Sequence, residues 1–299
     1  MDHQPLYLVD ASIYIFRAYY SMPATFVDNS GEIVNAVYGY TSFLLDLLER
    51  QPESLSCAFD ESLNTCFRND IYPEYKANRD LPDANLAYQL AACQEVTSLL
   101  GLHSVCLQDY EADDIIGTLH KKFAPDRPVI IVTRDKDLGQ LLGEADLLWD
   151  FAADDYAGPA EIKARFGVAP EQIADYLALA GDAVDNIPGV SGVGAKSAAA
   201  LLNEFGDIDA MYERIDEVPG MTSLRGAKKI KTTLVEQESL VRMFRKVTRI
   251  MCDIELDVVL DDLRPAAVDL HGVTDFCARM KFGDRIASRM AGLANETDA

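Results

Sequence analysis

The sequence predicts an α/β domain followed by a helical domain, and three observations support this prediction. Short apolar runs alternate with helix-like segments up to about residue 165. From Ala169 onward the pattern becomes mainly helical. Acidic residues stand where several of the apolar runs stop. We therefore place the domain boundary near Gly167, so that residues 1–167 form the first domain and residues 168–299 the second.

Four apolar runs have the length and bounding residues of buried strands in a parallel sheet. They are Leu6–Val9, Leu55–Phe59, His103–Leu107 and Val129–Val132. A later run, Ile254–Val259, is also strand-like. In an open α/β sheet, ligands bind beyond the carboxyl ends of the strands. Segments that are distant along the chain can therefore contribute side chains to one crevice.

Acidic residues form five short clusters, most of them just beyond these runs. Hard cations such as Mg²⁺ prefer oxygen ligands, and pairs of them about 3.5–4 Å apart assist phosphodiester hydrolysis. Any one Asp could equally cap a helix or a turn. Five coordinated clusters favour a metal site. Its candidate ligands are Asp10, Asp60, Glu111, Asp113, Asp114, Asp135, Asp137, Asp182 and Asp185.

The composition predicts a globular protein, because 49% of the 299 residues are hydrophobic and 25% are charged. The six cysteines include no Cys-x-x-Cys pair, which argues against a zinc or redox motif. No apolar run approaches the length of a membrane span, and the amino terminus lacks the pattern of a signal peptide. We expect a cytoplasmic protein without a membrane partner.

The net charge of −22 argues against a nucleic-acid partner, since phosphate binding normally depends on Lys and Arg. Bound cations would neutralise part of that charge, however, and basic residues gather in three places. If residues 240–250 are helical, Arg242, Lys246 and Arg249 form one stripe on the helix. This stripe could follow a phosphate backbone, or it could be an ordinary solvated face. The basic groups are Arg68–Arg79, Arg225–Lys231, and Arg242, Arg245, Lys246 and Arg249.

The segment 181–203 is the most specific motif in the chain. Its glycines permit a tight turn between helices, which leaves backbone N–H groups and a helix amino terminus free to hold a phosphate. We interpret it as a DNA-backbone clamp of the helix-hairpin-helix type. A P-loop is rejected because Ala195 separates the last glycine from Lys196 and because the preceding pattern is helical. The residues of the turn are Gly189, Gly192, Gly194, Lys196 and Ser197.

Aromatic and basic residues are interleaved between residues 68 and 79. Tyr72, Tyr75, Lys76 and Arg79 combine stacking surface with cationic reach, which suits an unpaired strand. An ordinary loop with exposed tyrosines is the alternative. Arg17 lies close enough to the first acidic residue to make a phosphate contact plausible.

Taken together, these motifs resemble those of the bacterial 5′ nucleases, a family of stand-alone flap endonucleases and of 5′-3′ exonuclease domains of DNA polymerase I. The resemblance covers about residues 5–260 and implies a PIN-like mostly parallel sheet flanked by helices. It also implies a helical arch at about residues 64–92 and a helix-three-turn-helix region. The matching segments are Leu8–Ser12, Arg17–Tyr19, Ala58–Asp60, Phe67–Arg68, Tyr72–Arg79, Tyr110–Asp114, Thr133–Leu138, Gly181–Lys196 and Leu224–Lys229.

The resemblance also implies roles for individual residues. Asp10, Asp60, Glu111 and Asp113 would hold one Mg²⁺, and Asp114, Asp135, Asp137, Asp182 and Asp185 would serve a second, with Mn²⁺ able to substitute. Lys76 and Arg79, with Arg17, would act on the scissile phosphate, and Tyr75 would stack on a terminal base. The backbone carbonyls of Leu179, Ala180, Pro188, Val190 and Val193 would bind K⁺. DNA contacts would come from Arg68, Tyr72, Tyr75, Gly189, Gly192, Gly194, Lys196, Ser197, Arg225, Lys228 and Lys229.

The expected activity is divalent-metal-dependent hydrolysis of DNA at 5′ ends, nicks and 5′-flap junctions. We expect a monomer whose action is coupled to a separate DNA polymerase and ligase. Two alternatives remain open at this point. One is a structure-specific DNA-binding protein that cleaves weakly or not at all, and the other is a PIN-type ribonuclease.

Overall fold

A six-stranded sheet forms the centre of the computed structural model, which describes residues 4–61, 66–79 and 83–296. The strand order is β3-β2-β1-β4-β5-β6, and only β6 runs antiparallel to its neighbour. The four strands predicted from the apolar runs are confirmed, whereas the last two were not predicted. The strands are β1 (Leu6–Asp10), β2 (Ser54–Asp60), β3 (His103–Leu107), β4 (Val129–Val132), β5 (Leu147–Asp150) and β6 (Asp155–Ala157).

Helices cover both faces of this sheet and make up most of the chain after residue 158. Helices α1 (Ala11–Ser21), α2 (Asn35–Leu48), α3 (Phe67–Ile71), α4 (Ala84–Leu99), α5 (Ala112–Phe123) and α6 (Pro159–Phe166) belong to the first part. The second part contains α7 (Ile173–Ala180), α8 (Ala195–Phe205), α9 (Ile208–Glu213), α10 (Ala227–Glu236), α11 (Glu238–Thr248), α12 (Leu270–Arg279) and α13 (Asp284–Glu296). No helix of the described residues is both long and apolar enough to cross a bilayer.

The sheet separates two hydrophobic cores, because successive residues of a strand point to opposite faces. In β1, Leu8 packs with α5 and the helical region, while Val9 packs with α1, α2 and α4. All three strand residues from Leu8 to Asp10 are buried. This double burial explains why β1 reads as a continuous apolar run that stops at a carboxylate.

The last two helices return to the first part of the chain. Asn29 donates from its backbone N to the carbonyl of Arg279 at 2.9 Å and from its amide to that of Ala278 at 2.8 Å. The Lys281 ammonium donates to the Asp28 carbonyl at 2.6 Å. Apolar residues of α12 and α13 complete the core beside α2 and α4. Residues 270–296 therefore do not pack within the predicted helical domain.

Two further predictions from the sequence need correction. Residues 254–259 are extended but form no strand among the described residues, because they lie along α5, where Ile254 N donates to Thr118 Oγ1 at 3.3 Å. The predicted arch also ends too late. From Ala84 onward the chain is α4, whose Leu86 and Ala92 are buried in the domain core. Of the predicted arch, residues 62–65 and 80–82 lie outside the described part of the chain.

Candidate metal centre

The carboxyl ends of the central strands bring two acidic side chains and a threonine together. Asp10 ends β1 and Asp60 ends β2, two residues beyond Ala58, which is the register partner of Asp10. Thr133, directly after β4, donates its hydroxyl to Asp10 Oδ2 at 2.9 Å. Asp60 Oδ1 accepts the backbone N–H of Ala112 at 2.8 Å, which ties it to the start of α5. The sheet therefore fixes the first two carboxylates, as the strand-end pattern predicts.

The start of α5 adds two more carboxylates. Glu111 is its N-cap residue, and Asp113 lies in its first turn. Acidic groups at this end of a helix are stabilised by the helix dipole. Glu111 accepts hydrogen bonds from Lys76 and from the Tyr75 hydroxyl, the latter at 2.9 Å. This edge of the centre is thus already in contact with cationic residues.

The remaining carboxylates come from the loop after β4 and from the hairpin after α7. Asp135 caps the short 3₁₀ helix Lys136–Leu141 by accepting the backbone N–H of Asp137 at 2.9 Å. Asp182 accepts the N–H of Val184 at 2.8 Å, and Asp185 pairs with Arg79 at 2.8 Å. One oxygen, Oδ1 of Asp137, is buried without a hydrogen-bond partner among the described residues.

A small enclosed cavity joins these elements. Its acidic lining comprises Glu111, Asp113, Asp135, Asp137, Asp182 and Asp185. Within the described ranges, no three of these side chains already surround a common point at ligand distance. Repulsion between like charges accounts for this spread, since several carboxylates turn instead toward basic groups or backbone N–H groups. The all-oxygen donor set and the orphaned Asp137 oxygen fit a hard divalent cation.

Burial and mutual repulsion hold several of these carboxyl groups toward the protonated form. Burial raises the pKa of Asp10 to about 7 and that of Asp137 to about 9, and neighbouring Asp135 contributes in both cases. Burial also raises the pKa of Asp60 and of Asp113. A bound cation would relieve this repulsion and favour the ionised forms.

Glu111 behaves in the opposite way. Burial raises its pKa, but the charges of Lys76 and Arg68 outweigh that effect and bring the pKa down to about 2. Its carboxylate is therefore ionised over the whole neutral range. The centre therefore combines Glu111, which is ionised at neutral pH, with carboxyl groups such as Asp10 and Asp137, whose pKa values are raised.

We predict that metal-free protein loses stability as the pH rises. An acid whose pKa is raised in the folded state stabilises that state fully below the unfolded value, about 4, and loses this contribution as the pH passes the folded value. The loss should extend through about pH 7 for Asp10 and about pH 9 for Asp137. Thermal unfolding in EDTA would show a falling midpoint, and Mg²⁺ should restore it most at the alkaline end. Asp137→Asn should flatten the alkaline limb, and an unchanged slope would contradict the assignment.

Asp114 does not belong to the centre, contrary to the sequence prediction. It is 0% exposed, and its two oxygens bind Arg68 at 2.6 and 2.7 Å. Oδ1 also accepts the N–H of Met251 at 2.9 Å. With its lone pairs so used, Asp114 is the anchor of Arg68 and not a metal ligand.

Arg68 and Tyr75 are likewise wrongly predicted as DNA contacts. Arg68 is 2% exposed and also donates to the carbonyls of Val247 and Arg249, so its donors are satisfied inside the protein. Tyr75 is 4% exposed, and its hydroxyl bridges Glu111 and Asp185. Burial leaves neither side chain a surface on which a nucleotide could stack.

Lys76 and Arg79 lie at the centre, where the sequence places them. Lys76 binds Glu111 and lies 3.9 Å from Asp185, while Arg79 is partly exposed and binds Asp185. The backbone of Lys76 adopts the left-handed conformation with φ 54°, and its N–H donates to the Asp185 carbonyl at 3.1 Å. Strain of this kind in a non-glycine residue is common at functional sites.

Arg17 does not join the acidic centre. Its side chain lines a separate cavity of about 510 Å³ between α1 and α2, together with Tyr14, Phe43 and Asp46. An α-helix has 3.6 residues per turn, so Arg17 lies about two turns along α1 from Asp10 at the end of β1. The predicted phosphate contact of Arg17 is therefore not supported by its position.

Three residues of the centre were missed from the sequence. Ser12 accepts the N–H of Asp60 at 3.0 Å, and Thr133 orients Asp10. Gln140 donates to the carbonyls of Asp137 and Thr248, which links the acidic loop to the end of α11. The position of Thr133 directly before an acidic motif could have revealed it, whereas nothing local distinguishes Gln140.

The hairpin between α7 and α8 is a tight double turn. Asp182 and Ile187 exchange backbone hydrogen bonds of 2.7 Å, and Val190 N donates to the Leu179 carbonyl at 2.9 Å. Lys196 is exposed in the first turn of α8, and Ser197 is half-buried beside it. The residues whose carbonyl oxygens are predicted to bind K⁺ lie on the two arms of this turn, which contact each other, and just after it: Leu179, Ala180, Pro188, Val190 and Val193.

We predict that Gly189→Ala disrupts this turn far more than Gly192→Ala. Both residues have positive φ, 66° and 81°, so alanine is strained at either position by about 1–2 kcal/mol. Only at Gly189 would the new Cβ meet backbone, 2.4 Å from Gly181 N, whereas Gly192 has open space. Urea unfolding should separate the two variants by more than about 1 kcal/mol. Equal destabilisation would show that the close approach is not needed.

The predicted basic stripe of Arg242, Lys246 and Arg249 is only partly available. Arg242 is engaged with Glu238 and Asp209, and Arg245 with Asp209. The helix is confirmed, but Arg242 is thus neutralised. By contrast, the basic residues at the start of α10 are exposed and form no ion pair with another described residue: Arg225, Lys228 and Lys229.

Comparison with known families shows two adjoining matches. Residues 5–167 match the 5′-3′ exonuclease, N-terminal resolvase-like domain, and residues 168–271 match the 5′-3′ exonuclease, C-terminal SAM fold. The chain is 38% identical over 267 residues to DNA polymerase I of Pseudomonas aeruginosa, covering 89% of this chain and 29% of that protein. It is 31% identical to the 5′-3′ exonuclease of Buchnera aphidicola, covering 88% of this chain and 92% of that one.

Solved structures share the fold at lower identity. T5 5′-exonuclease with bound zinc superposes with a TM-score of 0.67 at 21% identity, over 98% of this chain and 99% of that one. The catalytic core of Rad2 in complex with a DNA substrate gives 0.65 at 16% identity, over 98% and 93%. The chain spans less than a third of the DNA polymerase I relatives that it matches.

Proposed function

Because the chain belongs to the 5′-3′ exonuclease family, we propose that it is a divalent-metal-dependent nuclease that hydrolyses DNA at 5′ ends and 5′-flap junctions. One observation carries this proposal. Carboxylates from three segments line one cavity, beside two basic residues of the 66–79 segment. The strand-end carboxylates Asp10 and Asp60 are close enough to repel Asp113 and Glu111 of this group.

We assign eight carboxylates to the metal ions. Asp10, Asp60, Glu111 and Asp113 would hold one Mg²⁺, and Asp135, Asp137, Asp182 and Asp185 would hold or hydrate the second, with Mn²⁺ able to substitute. When bound, such ions activate water and stabilise the leaving oxygen of a phosphodiester. The relevant properties of the chain are its all-oxygen donor set and the repulsion that a cation would relieve.

The protein's own cations would orient the phosphate. Lys76 is held against Glu111, and Arg79 against Asp185. Preorganised cations of this kind stabilise negative charge that develops during phosphoryl transfer. Arg79, which is 44% exposed, is the better placed of the two to contact substrate.

The hairpin and the start of α10 would bind the duplex away from the cleavage site. Exposed Lys196, Arg225, Lys228 and Lys229 supply charge, and the free N–H groups at the start of α8 supply hydrogen-bond donors. We include K⁺ at the hairpin carbonyls in this proposal, because the two arms of the turn touch. Tyr72 remains a candidate contact, since it is partly exposed. Action by a monomer, coupled to a separate polymerase and ligase, completes the proposal.

An assay of the purified full-length chain on 5′-flap, nicked and blunt DNA tests this function. With Mg²⁺ we expect products cut at or near the flap junction, and release of short products from nicks. With Ca²⁺ we expect binding without comparable turnover. Strong flap binding with no Mg²⁺-dependent product would favour a DNA-docking protein. Preferential cutting of RNA flaps would favour a ribonuclease.

A further inference from the structure

A second cleft lies behind the acidic centre, between α3, α5, α11 and the segment that follows α11. Its volume is about 700 Å³, which is within the range of small-molecule sites. Gln140 and Ile250 line both this cleft and the acidic cavity, so a single layer of side chains separates the two. We call it the basic cleft, for the three cationic residues on its wall: Lys121, Lys246 and Arg249.

None of these three cationic groups forms a salt bridge within the described part of the chain, although Glu171 and Asp253 line the same cleft. All are exposed, and none forms an ion pair or side-chain hydrogen bond with another residue that the structure describes. On the same helix, Arg242 and Arg245 do pair with acidic residues. Three unpaired cations around one cleft are unexpected in a chain with 49 acidic and 27 basic residues. With Glu171 and Asp253 counted, the lining has three positive and two negative side chains, and this net positive charge favours an anionic ligand.

The remaining walls indicate what kind of anion would fit. Phe67, Ile71, Leu141 and Met251 provide apolar and aromatic surface beside the cations. An aromatic ring can stack on a base, as in many nucleotide sites. The Arg68 guanidinium lies over the Phe67 ring, 4.6 Å from its centroid, so Ile71, Leu141 and Met251 supply most of the apolar wall beside the cations.

Two acidic residues in the lining argue against a continuous nucleic-acid strand. Glu171 and Asp253 line the cleft and are exposed. A phosphate backbone that ran through the cleft would pass these carboxylates, whereas a compact anion could keep its charge beside the three cations. The charge arrangement therefore favours a small molecule.

We propose that the basic cleft binds a nucleoside 5′-polyphosphate, with its phosphates against Lys121, Lys246 and Arg249 and its base against the apolar wall. Free polyphosphate shares the phosphate chemistry but lacks the base. The site is distinct from the acidic centre, and its existence does not depend on the proposed DNA hydrolysis.

Isothermal titration of the full-length protein with ATP and, separately, with sodium tripolyphosphate tests this inference. EDTA keeps metal-bridged binding at the acidic centre out of the measurement, and low salt limits the screening of the attraction between phosphates and cationic side chains. We expect saturable one-to-one binding of ATP, weakened at least about tenfold in the double variant Lys121→Ala/Lys246→Ala. The control Lys122→Ala/Lys163→Ala removes the same charge outside the cleft and should stay within about twofold of wild type.

The outcomes separate the possibilities. Equal affinity for tripolyphosphate and ATP, with the same loss in the cleft variant, would assign the site to phosphate chains alone. Absence of saturable binding by either probe, or equal binding by the cleft and control variants, would overturn the proposal. The proposal would also be overturned if a single-stranded oligonucleotide bound in a way that required the cleft residues while ATP did not bind. Circular dichroism of each variant shows whether the fold is retained.

Discussion

Asp135→Asn should reduce Mg²⁺-dependent cleavage of a 5′-flap substrate on the order of 10³-fold, because a metal ligand supplies several kcal/mol of transition-state stabilisation. Asn retains an oxygen that can accept the N–H of Asp137, so the cap of the 3₁₀ helix is preserved. The charge that would hold a cation is lost. Single-turnover rates at saturating enzyme measure the effect apart from DNA binding.

The matched control is Asp126→Asn, which removes an exposed carboxylate outside the cavity lining, before the start of β4 and thus at the other end of that strand from Asp135. Its rate should stay within about twofold of wild type. A Mg²⁺ titration adds a second readout, since the variant should need more metal to reach half its maximal rate. Normal cleavage by Asp135→Asn would remove this residue from the metal centre.

Arg68→Met should lower the free energy of unfolding by about 3–5 kcal/mol, because it strands buried carboxylates without a partner. Arg68 makes a bidentate pair with Asp114, lies 3.1 Å from Glu111 and donates to two carbonyls at the end of α11. It thus joins the segment near the centre to the helical part of the chain. Urea unfolding, monitored by circular dichroism, measures the loss.

Arg134→Met is the control, since Arg134 is half-exposed and pairs with Asp150 at the surface. Surface pairs of this kind contribute about 0–1 kcal/mol. The double variant Arg68→Met/Asp114→Leu should be more stable than the sum of the single losses predicts, because it removes the unpaired charge as well as the guanidinium. A loss below about 1 kcal/mol in Arg68→Met would contradict the structural role.

Strand ends were predictable because their signal is local. The burial of β1 on both faces gives an unbroken apolar run, and the acid that follows it marks the ligand edge of the sheet. The same argument, an acidic residue at or just after the end of a buried strand, also places Asp60 and Asp135 at that edge, as the structure does. Whether these residues bind metal remains a prediction, but their convergence could be read from four short segments.

The identity of the partner of each charged residue was not predictable. Arg68 stands among basic residues and reads as a phosphate contact, yet its partner Asp114 lies 46 positions away. Likewise, Ile254–Val259 alternates like a strand, but a strand also needs a free sheet edge, and α5 takes that segment instead. Packing between distant elements determines the partner of Arg68 and the conformation of residues 254–259. The local sequence pattern contains no signal for either.

The return of α12 and α13 to the first part of the chain has a consequence for biosynthesis. The hydrogen bonds from Asn29 span about 250 positions of sequence, so a ribosome-bound chain cannot close the α2 and α4 core until its last helices emerge. Contacts of such long range slow folding. Until then, the apolar side chains that Phe276 and Met290 later cover would face solvent, which makes the nascent chain a natural client for chaperones.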